Sequence, residues 1–300
     1  MMVEAGNSGG HKIDDSGGRR VKPRPALFRA LGRDDPPAMI EIAGEEWSLE
    51  EVFKHDSWAA TGVYRRGDAQ VLCKFNRTQP IFGIPMRWLG RRLARRETGF
   101  MERLRDLESV PLPAGDVSSG GVLLDNAAAR IFIPGEAFRV KEQVTSAFID
   151  ELHAILARVH AHDMAYVDLH KRENIIVGLD GRPYLIDFQV SYGVGPDAGW
   201  IRRAILRRLQ EIDVYHLRKH HLRCFPETLT PEQIEAWRNP PGLINAHRRI
   251  TKPLRSLRRK LLVKLGIRNE TGMARSEFEP EISFREEGGG GSDVGRSGTG

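Results

Sequence analysis

The sequence has few cysteines and no long apolar run. Only Cys73 and Cys224 occur among its 300 residues. They lie far apart without metal-ligand spacing, so neither a disulfide framework nor a zinc site is indicated. No apolar run approaches the roughly 20 residues that a membrane-spanning helix needs, and the first residues lack the apolar core of an export signal. We therefore expect a cytoplasmic protein that neither spans a membrane nor carries an export signal.

The charge is unbalanced towards cations. The formal net charge is +6, and the excess is concentrated in arginine-rich helical stretches. It favours an anionic partner, such as a nucleotide, a phosphorylated glycolipid, a membrane surface or a nucleic acid. The basic stretches lack a nucleic-acid reading motif and interleaved aromatic residues, so we expect no nucleic-acid partner.

The two ends of the chain differ in composition from the middle. Residues 1–26 and 266–300 are rich in Gly, Ser and charge, and we expect them to be disordered tails. Residues 248–264 combine leucines at helical spacing with many cations. This segment is predicted either to lie on an anionic membrane or to pack as a terminal helix on the protein.

Three oxygen-bearing side chains surround one predicted hairpin. Two β-rich runs, Ile175–Gly178 and 183–186, flank an Asp-Gly pair, which is a strong hairpin signal. Antiparallel pairing would set Asn174 and Asp187 side by side, and such oxygens are the ligands that Mg²⁺ takes together with a nucleotide's phosphates. Asp168 lies six positions before Asn174, where its carboxylate can reach the same space.

The order of these residues resembles the protein-kinase-like superfamily. The resemblance lies in Asp168-Leu, Asn174 and Asp187-Phe, and covers roughly residues 60 to 220. Among its branches the chain looks most similar to the lipopolysaccharide core kinases, which phosphorylate Kdo or heptose sugars, and to related atypical bacterial kinases. It departs from the family pattern by a longer Asp-to-Asn gap, by Gln189 for Gly and by Tyr166 for His. The change to Tyr166 is expected to remove the histidine's hydrogen bond that braces the backbone, a bond that another ring can replace in part.

The resemblance implies an α+β fold with two lobes. The small, β-rich lobe would span residues 27–134 and a reduced helical lobe residues 135–265, with a hinge at 134–136 against which adenine would sit. A helix is predicted over 142–160 from its apolar spacing. The resemblance places Asp213 beneath the loop that carries Asp168. A further helix is predicted to begin at Thr230, with Gln233 completing its cap.

A second predicted hairpin carries a lysine. Residues 61–65 and 69–75 are expected to pair across Arg66-Gly-Asp. Lys74 is by itself an ordinary strand lysine, but the resemblance makes it a phosphate clamp held by a helical glutamate. Glu97 is the first candidate for that glutamate, and Glu102 is the alternative. A purely structural role for Glu97 would be a surface ion pair with a neighbouring arginine. No glycine-rich G-x-G-x-x-G motif accompanies the hairpin.

Other elements of the first half are predicted from local patterns. We expect a strand over 38–42, a short helix or loop over 47–58, and a helix over 85–107 with breaks at its two glycines. A loop over 111–115 and strands over 122–124 and 129–133 should follow.

The function implied by the resemblance is transfer of the γ-phosphate of ATP, with Mg²⁺, to a hydroxyl group. Asp168 and Lys74 would be catalytic, and Lys74, Glu97, Asn174 and Asp187 would bind the nucleotide, the last two through the metal. A lipopolysaccharide-type sugar is the favoured acceptor, because no Ala-Pro-Glu follows Asp187. The alternatives are an atypical serine/threonine protein kinase and a non-catalytic pseudokinase that binds nucleotide. We expect a cytoplasmic protein with peripheral contact to the inner face of the membrane.

Overall fold

The computed structural model describes residues 25–81, 83–139 and 141–238. Outside these residues lie the basic segment 248–264 and the predicted tail 266–300. Of the predicted tail 1–26, residues 1–24 also lie outside them. Ala26, which we expected in that tail, begins a short 3₁₀ helix. No α-helix of the described residues is both long and apolar enough to cross a bilayer.

An eight-stranded antiparallel sheet forms the first half of the described chain. Its order is β5-β8-β4-β3-β2-β1-β6-β7. The strands are β1 (Met39–Ile42), β2 (Glu45–His55), β3 (Ala59–Arg66), β4 (Ala69–Asn76), β5 (Pro113–Gly115), β6 (Val117–Ser119), β7 (Val122–Leu123) and β8 (Ala127–Ile131).

The sheet curls back on itself. β5 and β6 are separated by five strands in the sheet but by only one residue in the chain, so their ends lie within about 7 Å of each other. Gly115 makes this passage with φ of +119°, and a side chain there would touch Ile42. The curled sheet encloses an apolar core that includes Ile40, Tyr64 and Phe75.

The helices and the small sheets form the second part of the structure. The described residues contain helices α1 (Arg87–Arg103), α2 (Ser146–Ala161), α3 (Trp200–Cys224) and α4 (Pro231–Arg238), and strands β9 (Gly135–Ala137), β10 (Met164–Ala165), β11 (Ile175–Gly178), β12 (Pro183–Leu185) and β13 (Tyr192–Gly193). A second core, the largest, joins α2, α3 and the β11–β12 hairpin to the end of α1. The chain is therefore α+β, as predicted.

Several predicted elements are confirmed. β3 pairs with β4 so that Arg66 faces Ala69, and β11 pairs with β12 across Asp180-Gly181. α2 starts four residues later than predicted, because the Thr145 side chain accepts a hydrogen bond from the Phe148 N–H and caps it. The cap at Thr230 is also present, with Gln233 and Thr230 exchanging hydrogen bonds of 2.9 and 3.3 Å.

The predictions for residues 47–58 and for the breaks in α1 were wrong. Residues 47–58 belong mostly to strand β2, which pairs with both β1 and β3 and contains two bulges; the bulges interrupt the alternation that identifies a strand. α1 runs unbroken through Gly90 and Gly99. A Cβ on Gly90 would lie 2.4 Å from the carbonyl oxygen of Arg77, so this glycine lets the helix approach the end of β4 closely.

The region between α1 and the predicted hinge also differs in detail. The expected loop over 111–115 contains β5, the strand β6 was not predicted, and β8 begins two residues earlier than expected. Because these strands have two to five residues, they are too short for a periodic pattern to define them. At the predicted hinge, Gly135 begins β9, which pairs with β11.

Candidate functional site

Lys74 links three distant parts of the chain. Its ammonium nitrogen donates a hydrogen bond of 2.8 Å to Oδ1 of Asp187, and it lies 3.3 Å from Oε2 of Glu97. Lys74 comes from the middle of β4, Glu97 from α1, and Asp187 from the residues after β12. Of the two helical candidates, Glu97 therefore faces Lys74, whereas Glu102 is half-exposed and pairs with Arg105.

The charges of this triad depend on each other. Burial disfavours the charged form of Lys74, but the carboxylates of Glu97 and Asp187 outweigh it and raise the pKa of the lysine above its usual value. Burial raises the pKa of Glu97, and Lys74 only partly offsets this. For Asp187 burial acts in the same direction, but Lys74 dominates and the pKa is lowered. Lys74 is thus a fixed cation and Asp187 a fixed anion.

Asp168 lies in a second cluster, on the loop between β10 and β11. Its Oδ2 accepts hydrogen bonds from the Lys171 ammonium at 2.6 Å and from the Asn174 amide at 3.0 Å. Its Oδ1 lies 3.3 Å from Nδ1 of His170. The carboxylate is almost buried, so these contacts fix its orientation.

The β11–β12 hairpin brings Asn174 and the end of β12 together, as its register requires. The Ile186 N–H donates a hydrogen bond of 3.1 Å to the Asn174 carbonyl oxygen, so Asn174 faces the residue immediately before Asp187. Asp187 then adopts φ of +63°, a conformation that residues other than glycine rarely take. This local strain is typical of functional sites and turns the carboxylate towards Lys74.

The donor groups fit a hard cation such as Mg²⁺. Because the amide nitrogen of Asn174 donates to Asp168, its oxygen faces away from that carboxylate. Asp187 is ionised and its side chain retains 23% exposure, so solvent-borne ligands can approach it. A carboxylate and an amide oxygen at one end of a hairpin are ligands of the type that Mg²⁺ takes.

Asp213 supports the loop that carries Asp168. It is fully buried on α3, and its two oxygens each accept a 2.7 Å hydrogen bond, from the N–H groups of Tyr166 and Val167. Nε2 of His160 lies 3.2 Å from the same carboxylate. The structure thus places Asp213 beneath this loop, as the resemblance predicted.

Tyr166 braces the backbone with its own hydroxyl group. Its hydroxyl donates to the Ile186 carbonyl oxygen, and its ring packs edge-on against Phe188 at 5.2 Å. The backbone at the hairpin end thus keeps a hydrogen bond from position 166, because the tyrosine hydroxyl reaches across the core. The Tyr166 ring therefore ties the Asp168 loop to the residues that flank Asp187.

Arg96 is a further residue of the site that sequence reasoning missed. It donates hydrogen bonds to the carbonyl oxygens of Gln189 at 3.2 Å and Ser191 at 2.5 Å. Arg96, which directly precedes Glu97, therefore joins α1 to the chain that follows Asp187. Nothing in the local sequence distinguishes Arg96, because four other arginines precede it within the same helix.

A cavity of about 610 Å³ lies elsewhere, between α3 and α4. Its lining contains none of the residues described above and comprises Arg207, Gln210, Glu211, Val214, Tyr215, Arg218, Ala236 and Trp237. The clusters around Lys74 and Asp168 remain the candidate site, because the pKa values of the Lys74 cluster are shifted and the backbone is strained at Asp187 and beside Asp168 at Val167.

No protein-family model matches the chain, and no curated protein shows significant similarity to it. The function is therefore inferred from the geometry of the residues themselves.

Proposed function

We propose that the protein is an ATP-dependent phosphotransferase with a two-lobed protein-kinase-like fold, its lobes spanning residues 27–134 and 135–265. The observation that carries the proposal is the position of Lys74, which contacts both Glu97 and Asp187 although 113 residues separate it from the latter. A strand lysine held by a helical glutamate, beside a carboxylate at a hairpin end, is the arrangement that orients nucleotide phosphates in this fold.

Each residue has a separate task in this reaction. Lys74 binds the α- and β-phosphate oxygens and is held in place by Glu97. Asn174 and Asp187 would hold Mg²⁺, which supplies charge neutralisation at the phosphates when bound. Lys171 lies 2.6 Å from Asp168 and brings a second cation to the space where charge develops on the transferred group.

Asp168 acts on the acceptor. Its carboxylate accepts a hydrogen bond from the acceptor hydroxyl and orients the oxygen towards the γ-phosphorus. The new oxygen–phosphorus bond forms as the bond to the β-phosphate bridging oxygen breaks, and the hydroxyl proton passes to Asp168. Because an aspartate is a weak base for an alcohol, its orientation matters more than its proton affinity.

The acceptor that we favour is a sugar hydroxyl of a lipopolysaccharide-type glycolipid. The chain between Asp187 and α3 runs only from Phe188 to Gly199 and contains no Ala-Pro-Glu. So short a segment offers little backbone to an extended peptide, whereas the surrounding arginines suit a phosphorylated sugar.

The proposal is tested with ATP labelled in the γ-phosphate, offered with Mg²⁺ together with an envelope glycolipid fraction or with generic protein acceptors. The parent chain is compared with Asp168→Asn and with Asp197→Asn, which makes the same change at an exposed position of the segment before α3. We expect label in the glycolipid with the parent and the Asp197 variant, and none with the Asp168 variant.

The other outcomes separate the alternatives. Label in protein only, lost in Asp168→Asn, would assign an atypical serine/threonine protein kinase. ATP binding without transfer to either acceptor would overturn the catalytic proposal in favour of a nucleotide-binding pseudokinase. Absence of nucleotide binding would overturn both.

A further inference from the structure

The outer face of the first part of α3 is apolar and exposed. Trp200, Ile201 and Ile205 retain 78%, 57% and 45% of their surface. Most large apolar side chains of the described residues are covered, and Trp200 is the most exposed of their tryptophans. Three such residues within two turns form one patch rather than scattered exposure.

Helical geometry places these side chains together, away from the core. At 100° per residue, Trp200, Ile201 and Ile205 fall within an arc of about 140°. Of the buried residues of α3, Leu206 and Leu217 lie on the opposite side of the helix and pack into the interior, whereas Tyr215 lies on the patch side but four turns further along. Trp200 therefore contributes little to the packing of α3, while Ile201 and Ile205 are partly covered.

Arginines accompany the patch. Arg202, Arg203, Arg207 and Arg208 all lie within the first nine residues of α3, which contain no carboxylate; Glu211 pairs with Arg208 at 2.8 Å, and Asp163 lies 3.7 Å from Arg203. Arg203 also bonds the carbonyl oxygens of Ala198 and Pro196, at 3.1 and 2.5 Å, which anchors the start of the helix. A rigid helix that combines exposed Trp and Ile with clustered arginine has the chemistry of a surface that enters the headgroup region of an anionic membrane.

We propose that this patch, formed by Trp200, Ile201, Ile205 and the arginines beside them, docks the protein on an anionic lipid bilayer. A second copy of the chain is disfavoured as the occupant, because two such faces would bring the cationic starts of two α3 helices together. The segment 248–264 is disfavoured for the same reason, because it too carries cations and no carboxylate. A bilayer surface offers both the negative charge and the apolar layer.

The position of the patch relates docking to the candidate site. Trp200 precedes Asp213 by 13 residues, or about 20 Å of helix, and Asp213 bonds the residue next to Asp168. Docking would thus hold the Asp168 loop about 20 Å along α3 from the residues that contact lipid. The proposal stands independently of phosphotransfer, since it concerns binding alone.

The test is sedimentation of the full chain with vesicles, without nucleotide. Phosphatidylglycerol mixed with phosphatidylcholine is compared with phosphatidylcholine alone, at low and high salt. The variant W200S/I205S removes apolar groups from the patch. The control V122S/L179S makes equally polar changes at two exposed sites, β7 and the β11–β12 turn.

We expect the parent and control to bind the anionic vesicles, more weakly at high salt, and W200S/I205S to bind at least about tenfold more weakly. Equal binding by all three would overturn the proposal and point to residues 248–264. Absence of binding by the parent would also overturn it, as would a parent dimer that W200S/I205S abolishes. Circular dichroism of W200S/I205S checks that exposed substitutions leave the fold intact.

Discussion

Oδ1 of Asp213 accepts a 2.7 Å hydrogen bond from the N–H of Val167, whose φ is +73°. A β-branched residue rarely adopts such a value, because its side chain meets the backbone. The bond therefore holds a strained residue immediately before Asp168. The strain is maintained from a helix 46 residues further along the chain.

Asp213→Ala should destabilise the protein strongly. It leaves the N–H groups of Tyr166 and Val167 without their acceptor, which should lower the free energy of unfolding by about 3 kcal/mol or more. Glu211→Ala on the same helix, where the side chain is half-exposed, should change it by less than about 0.5 kcal/mol. Urea denaturation measures both, and equal stability of the two variants would contradict the bracing role.

Lys74 and Glu97 should be energetically coupled. Lys74→Met leaves the carboxylates of Glu97 and Asp187 together without their cation, so Glu97→Gln should cost less in that background than in the parent. We expect a double-mutant coupling of about 1 kcal/mol or more from urea denaturation.

The exposed pair Arg65 and Glu50 provides the comparison. At 2.7 Å this ion pair is shorter than the 3.3 Å pair of Lys74 and Glu97, but water screens it. The cycle of Arg65→Met with Glu50→Gln should therefore give a coupling energy of less than about 1 kcal/mol. A coupling at Lys74 no larger than that of the exposed pair would show that burial does not strengthen the triad.

Gly90 and Gly99 should respond oppositely to the same substitution. Gly90→Ala places a Cβ 2.4 Å from a backbone oxygen and should cost about 1 to 3 kcal/mol. Gly99→Ala meets nothing within 4 Å and should stabilise α1 by about 0.5 to 1 kcal/mol. Thermal unfolding measures both changes. Stabilisation by Gly90→Ala would mean that α1 does not pack closely on the end of β4.

His220 should make stability depend on pH. Burial lowers its pKa to about 4, while its ring nitrogen bonds the Leu169 carbonyl oxygen at 2.8 Å. Between pH 4 and about 6.5 the unfolded state binds the proton more readily, so the free energy of unfolding falls as the pH is lowered through this range. The stability from the neutral ring is fully present above about pH 6.5.

His220→Gln keeps a hydrogen-bond donor but does not titrate. Between pH 7 and pH 4 the free energy of unfolding of the parent should therefore fall by about 2 to 3 kcal/mol more than that of the variant. Urea denaturation across this range measures the difference, and parallel curves for parent and variant would exclude His220 as the titrating group. Comparison with the parent cancels the contribution of the carboxylates.

Part of the fold and of the candidate site could be predicted because the signals are local. The Asp-Gly pair between short β-rich runs specifies the β11–β12 hairpin, and the hairpin register specifies that Asn174 and Asp187 share one end. The apolar spacing of α2 and the cap at Thr230 likewise depend on neighbours a few residues away. β2 could not be recognised, because its bulges hide the alternation and its pairing partners stabilise it from outside the segment.

The sequence by itself determined the hairpins, α2, the start of α4 and the spacing of Asp168, Asn174 and Asp187, since each follows from interactions over a few residues. Only the tertiary structure decided that Glu97 rather than Glu102 meets Lys74, that Tyr166 and Arg96 tie the site together, and that Trp200 faces outward. These outcomes depend on how α1 and α3 pack, and packing is set by the summed burial of many side chains from distant segments. No local pattern contains that sum.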